Sequence, residues 1–154
     1  MTPETFQNLM GPIVDAIGGH TVDQSLAAAL NRDFPPDGEI FREIEAACHA
    51  AIKAGWMCAH GDDGRRFGRV VKPSPDTRDL SIDVVQLRDF VGPHHSHPSG
   101  EICMTIPVTE GAEFDGHGAG WCVNEPGSAH HPTVSGGEAL VLYLLPGGEI
   151  EFTR

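Results

Sequence analysis

Six of the nine histidines in this chain fall between His94 and His131. Within Gly92-Pro93-His94-His95-Ser96-His97-Pro98-Ser99-Gly100-Glu101, His95 and His97 stand one residue apart. On an extended chain alternate side chains share a face, so both imidazoles can reach one metal ion. Glu101, four positions on, can return across a short turn as a third ligand. In Glu125-Pro126-Gly127-Ser128-Ala129-His130-His131-Pro132, a tight Pro-Gly turn delivers His130 at the start of a following strand as the natural fourth ligand. Imidazole nitrogens with a carboxylate form a borderline-hard donor set that suits iron, manganese, nickel, cobalt or zinc. Such a set leaves coordination positions open for water or substrate. Alternation turns His94 and His131 away from that point, and His20, His49, His60 and His117 read as surface or packing histidines.

Two kinds of element must position these residues. Up to Gly55 the chain reads as three helices. Thr2 caps the first, with Pro3 in its first turn, and Phe6, Leu9, Met10, Ile13, Val14 and Ile17 recur at three- and four-residue steps until Gly18-Gly19. A second runs over 22–31 and is broken by Phe34-Pro35-Pro36. A third follows Asp37, with Ile40, Phe41, Ile44, Ala47, Cys48, Ala51 and Ile52 on one stripe. Gly55 stops it, and Lys53 sits in the last turn, where a cation suits the dipole. Beyond Gly55 the period becomes two, predicting strands over 56–60, 66–72, 81–88, 101–108, 113–114, 120–124, 138–145 and 149–152. Asp62-Asp63-Gly64 and Asp115-Gly116 are hairpin signals. The expectation is a mainly β protein: a three-helix segment, 1–55, packed on an all-β domain, 56–154, that closes as a sandwich or barrel.

Composition narrows the function. Among 154 residues, 22 are acidic and 10 basic, a formal charge of −12. That excludes a nucleic-acid partner, which would need a basic face, and adsorption to an anionic membrane. The longest apolar run, 139–145, is too short to span a bilayer. The start, Met1-Thr2-Pro3-Glu4, has no basic n-region, so a cytoplasmic protein is expected. Cys48, Cys58, Cys103 and Cys122 form no CxxC pair and read as reduced thiols. The apolar end strands, 138–145 and 149–152, suggest an edge covered by a second copy, hence a homodimer.

His-x-His with a glutamate four residues on, then Gly-x-x-His after a hairpin, resembles the two motifs of the cupin superfamily. The resemblance implies a double-stranded β-helix (jelly-roll) barrel over 56–154 with metal inside, held by His95, His97, Glu101 and His130. It departs at Asp89, where a glycine is usual, at the late Gly111, at Pro126 and at Val134. The full layout is similar to the 4-hydroxylaminobenzoate lyase family: Gly55-Trp56-Met57-Cys58, 66–73, Gly92-Pro93-His94-His95, Pro126-Gly127-Ser128-Ala129-His130 and 142–148. Members turn 4-hydroxylaminobenzoate into protocatechuate with release of ammonia, in nitrobenzoate degradation. That resemblance implies a small aromatic carboxylate as substrate and a cation to receive it. Arg65–Lys72 is the only dense basic stretch; Phe67, Arg69 and Val71 share a face, so Arg69 is expected inward beside the Phe67 ring. Trp121, with Trp56 and Tyr143, can wall an aromatic ligand. Glu113 and Tyr143, with Glu125 and Cys103, are candidates for general acid–base work. Two other readings remain open: a cupin dioxygenase acting on another small aromatic, and a non-catalytic ligand-binding sensor.

Overall fold

The computed structural model describes residues 1–153. Helix α1 (Pro3–Leu9) begins at Thr2, whose hydroxyl accepts from the Thr5 amide at 3.1 Å. Helix α2 (Gly11–Gly18) follows at once. The single helix expected here is therefore two, and the helices number four among the described residues. The apolar stripe runs on in phase through Met10 and Ile13, but Pro12 has no N–H and its ring excludes the Asn8 carbonyl, so the first helix cannot continue. Helix α3 (Gln24–Asp33) starts at an Asp23 cap, and α4 (Glu39–Ala54) ends on Gly55 at φ 91°, a left-handed cap.

Ten strands follow among the described residues, all paired antiparallel: β1 (His60–Asp62), β2 (Arg65–Val71), β3 (Leu80–Val91), β4 (His95–His97), β5 (Glu101–Pro107), β6 (Glu113–Phe114), β7 (Gly120–Asn124), β8 (Ser128–His130), β9 (Thr133–Pro146) and β10 (Glu151–Phe152). The larger sheet runs β1-β2-β3-β9-β5-β7, with β6 also on β9, and the smaller runs β10-β4-β8. Together the two sheets form a jelly-roll barrel. Both Asp-Gly signals are hairpin turns: Asp62 pairs with Arg65 around Asp63-Gly64, and Phe114 bridges His117 around Asp115-Gly116. Residues 56–59 are not a strand. The chain is still reversing out of the Gly55 cap, and the Trp56 indole N–H donates to the Met1 carbonyl at 3.0 Å while Met57 and Cys58 turn into the core.

The apolar run expected at an edge lies in the middle. β9 is paired with β3 on one side and with β5 and β6 on the other, so it offers no open edge to a second copy. The edge that exists near the helices, β7, is covered by α3. Asn31 accepts from the Trp121 amide at 2.9 Å and donates to the Trp121 carbonyl at 2.8 Å, and Gln24 donates to the Val123 carbonyl at 2.9 Å. The four helices pack on the outer face of the larger sheet, where Phe6, Phe41 and Leu30 meet Ile82, Met104 and Leu142 in one buried cluster. A second, smaller cluster around Cys103, Phe114, Val141 and Tyr143 lines the barrel interior. No helix among the described residues is long and apolar enough to cross a membrane.

Candidate metal centre and its cavity

The centre is built where the two sheets meet. On β4, His95 and His97 face inward and Ser96 outward, as alternation requires, and β8 runs alongside with His130 directly opposite His95. Glu101 opens β5 on the larger sheet. The turns that carry these ligands are tied to one atom: the His97 carbonyl accepts from the Gly100 amide at 3.1 Å and from the Gly127 amide at 2.8 Å. Gly100 is at φ 88°, and a Cβ there would lie 2.7 Å from the Val22 side chain and 3.1 Å from the Asn124 carbonyl. Only glycine fits. Asp89, standing where the cupin pattern has a glycine, keeps the left-handed conformation at φ 42°.

The four ligand atoms of His95, His97, Glu101 and His130 lie within 4.8 Å of one another. His130 Nε2 is 2.9 Å from His95 Nε2 and 3.0 Å from His97 Nε2, and Glu101 Oε2 is 3.3 Å from His97 Nε2. Atoms about 2.1 Å from one ion and at right angles lie about 3.0 Å apart, which matches the imidazole spacing. Glu101 Oε2 is buried without a hydrogen-bond partner. A cation among these donors would satisfy the carboxylate and relieve three converging nitrogens that have too few protons to share. The residues fit a divalent transition metal.

Electrostatics prepare the donors. Burial, helped by the neighbouring His130, lowers the His95 pKa to about 4. Burial and His95 lower that of His97 to about 3. Both rings are neutral near pH 7, with lone pairs available for an ion. Burial also disfavours charge on His130, but the hydrogen bond that its Nδ1 donates to Asp115, with the Glu101 and Asp115 charges, outweighs it and raises the pKa. Asp115 is the functional residue that sequence reasoning missed. Its Oδ2 lies 2.6 Å from His130 Nδ1 and its Oδ1 accepts from the Thr133 amide at 2.9 Å, so it orients the ring. Asp-Gly reads as a turn, and only the fold shows that this turn faces His130. On Glu101, Oε1 accepts from the Cys103 thiol at 3.0 Å and from Asn124 Nδ2 at 2.8 Å. Burial still pushes its carboxyl up.

A cavity of about 300 Å³ opens beside the centre, small as ligand sites go. His95 and Tyr143, both buried, form its inner end. Phe67, Phe90 and Phe152 line its walls, and Arg65 and Arg69 reach it from β2. Tyr143 is kept protonated: burial, then the nearby Glu101 carboxylate, raise its pKa well above that of a free phenol. Arg69 and Phe67 do line the cavity, but the Arg69 guanidinium is already paired, with Nε 2.7 Å from Asp83 Oδ1 and one terminal nitrogen 3.1 Å from the Gly148 carbonyl. Two expected residues lie elsewhere. Trp121 has the parity of Val123 and sits opposite Met104, so it faces the helices, where its indole N–H donates to the Phe34 carbonyl at 2.9 Å. Glu113 alternates with the buried Phe114 and therefore points to solvent. Outside the centre, His94 contacts Thr153, and His131 Nδ1 lies 3.1 Å from the Gly92 carbonyl.

The family model described as PnbB, 4-hydroxylaminobenzoate lyase, matches residues 8–152. A 4-hydroxylaminobenzoate lyase from Nocardioides sp. (strain LMS-CY) is 29% identical, covering 98% of this chain and 95% of that one. One from Pseudomonas putida is 32% identical, covering 86% of this chain and 85% of that one. Among solved structures, an RmlC-like cupin protein from Ralstonia eutropha aligns with TM-score 0.47 and 16% identity over 62% of this chain and 64% of that one.

Proposed function

The chain belongs to the 4-hydroxylaminobenzoate lyase family, and from that premise we propose that it is a metal-dependent lyase acting on 4-hydroxylaminobenzoate or a similar hydroxylamino-aromatic acid. The products are protocatechuate and ammonia. The balance needs one water: the hydroxylamino acid and water supply every atom of the catechol acid and of ammonia, with no external oxidant. The same reading assigns the reaction to nitrobenzoate catabolism in the cytoplasm.

One observation carries the proposal: the cluster of His95, His97, Glu101 and His130 adjoins, through His95, a small cavity that combines aromatic walls, a buried phenol and arginine. A bound divalent metal supplies Lewis acidity, which polarises an oxygen of the substrate or activates water. The protein's own residues do the rest. Phe67, Phe90 and Phe152 take the ring and exclude water from its faces. Tyr143 holds a proton on its hydroxyl at the inner end, where the hydroxylamine nitrogen must gain protons before it leaves. Glu113 takes no part, because it faces solvent.

The test is incubation of purified, metal-loaded protein with 4-hydroxylaminobenzoate, following protocatechuate and ammonia beside metal content. Equal yields of both, lost on chelation and restored by one of iron, manganese, nickel, cobalt or zinc, are expected. Full activity after complete metal removal would sink the metal's role. Oxygen consumption in place of ammonia release would replace the lyase by a dioxygenase, and binding without turnover would replace it by a sensor.

A further inference from the structure

Two arginines reach the cavity, and they differ in what already holds them. Arg69 is engaged by both Asp83 oxygens, at 2.7 and 3.4 Å, and by the Gly148 carbonyl at 3.1 Å. Its charge is neutralised and its fork is committed. Arg65, four residues earlier on the same face of β2, has no ion pair and no side-chain hydrogen bond among the described residues. Asp62 is its direct cross-strand partner, yet Arg65 does not pair with it. Its guanidinium carbon lies instead 5.7 Å from the centre of the Phe67 ring and 5.3 Å from that of Phe90. All three of these residues line the cavity.

That arrangement has a chemical consequence. Cation–π contact with the two rings uses none of the guanidinium's N–H donors, so they stay available to a carboxylate, which takes two parallel hydrogen bonds from the planar fork. Of the two arginines at the cavity, Arg65 is the one without an ion pair or side-chain hydrogen bond among the described residues. The cavity also reaches from Arg65 to His95, so a ligand filling it touches both. We infer that Arg65, held by Phe67 and Phe90, receives the substrate carboxylate and makes the site select aromatic acids over neutral hydroxylaminoarenes, while Arg69 is a structural cation. This rests on the proposed reaction for its substrate, but the recognition of an aromatic carboxylate can be tested without it.

The experiment compares metal-loaded wild type, Arg65→Met, Arg65→Lys and Arg69→Met on 4-hydroxylaminobenzoate and on neutral phenylhydroxylamine. A hydrogen-bonded charge pair is worth roughly ten- to hundredfold. Arg65→Met should therefore lower kcat/KM for the acid by about that factor, mainly through KM, and change it for the neutral compound by less than about twofold. Arg65→Lys should recover part of the loss, and Arg69→Met should keep the preference for the acid. Equal losses on both substrates, or a preference abolished by Arg69→Met and not by Arg65→Met, overturn the inference. Benzoate binding by calorimetry supplies a readout independent of turnover, with about tenfold weakening expected in Arg65→Met. If wild type binds no benzoate, or Arg65→Met binds it equally well, the inference fails. If benzoate binding depends on Arg65 and 4-hydroxylaminobenzoate is not consumed, the inference stands and the proposed reaction falls.

Discussion

The two faces of the larger sheet are made by the same strands and do opposite work. Toward the helices, β3 presents Ile82 and Val84, β5 presents Ile102, Met104 and Ile106, and β9 presents Leu140, Leu142 and Leu144, all buried in the larger cluster. Toward the barrel, the residues between them include Asp83, Glu101, Cys103, Thr105 and Tyr143. One cross-strand row joins Arg69, Asp83, Tyr143, Cys103 and Cys122 through successive pairings on the inner face. Stability and chemistry are thus separated by a single step along the backbone. The helical layer lets this happen. It gives the sheet an apolar core on its outer face, so that the inner face can carry a buried carboxylate against the three imidazoles of the smaller sheet, groups whose burial costs free energy.

Neighbouring substitutions should therefore have unlike effects. Leu142→Ala removes a fully buried side chain from the helix face and should destabilise the fold by about 2–5 kcal/mol, read as a lower urea midpoint, with one metal per chain retained. Loss of metal at unchanged stability would break the division between the faces. Glu101→Gln should do the reverse. It keeps an oxygen for Cys103 and Asn124 but removes a ligand charge, so activity should fall by at least about a hundredfold, beyond the ten- to hundredfold typical of outer-shell partners. The metal-free midpoint should hold within about 1 kcal/mol, because a buried charge with an unpartnered oxygen has been neutralised. A collapse of the metal-free fold would show that Glu101 is structural. Asp115→Asn leaves the four ligands in place but weakens the hold on His130 Nδ1, and should cost about ten- to hundredfold in metal affinity, measured by competition with a chelator.

These unlike outcomes also explain which parts of the molecule were legible before folding. The clustering of His95, His97, Glu101 and His130 was readable because their spacing is local to two short segments, each closed by a glycine turn. Gly55 was readable as a helix stop because its left-handed cap is a local demand. The break at Pro12 was masked by an apolar stripe that continues in phase across it. The central place of β9 was masked by its position late in the chain: 139–145 is apolar at both parities because it is covered on both faces, which a reading by edge and end mistakes for exposure. Asp115 was invisible as a ligand-orienting residue, since its turn chemistry accounts for it fully until the turn is seen against His130. The choice of arginine was likewise not local. Arg69 lost its freedom to Asp83 and Gly148, which lie 14 and 79 residues away in sequence.

Parity is the least local of these properties, and Trp121 tests it with the smallest expected effect. A strand pattern says that Trp121 and Val123 share a face and Cys122 takes the other, but not which face holds the site. Pairing with β5 decides it, because Trp121 is opposite Met104, and Met104 alternates with Cys103, whose thiol donates to Glu101. The indole consequently lies edge-on to Phe41, with ring centres 6.3 Å apart at 88°. Trp121→Phe keeps an aromatic ring there and keeps the backbone bonds to Asn31, but leaves the Phe34 carbonyl without its indole donor. The expected cost is about 1–2 kcal/mol of stability, with kcat/KM for 4-hydroxylaminobenzoate within about twofold of wild type. A raised KM at unchanged stability would place Trp121 on the cavity wall and invert the assignment of faces. The expected result would show that an aromatic residue three positions before a ligand-supporting asparagine, Asn124, contributes only to the helix-facing core.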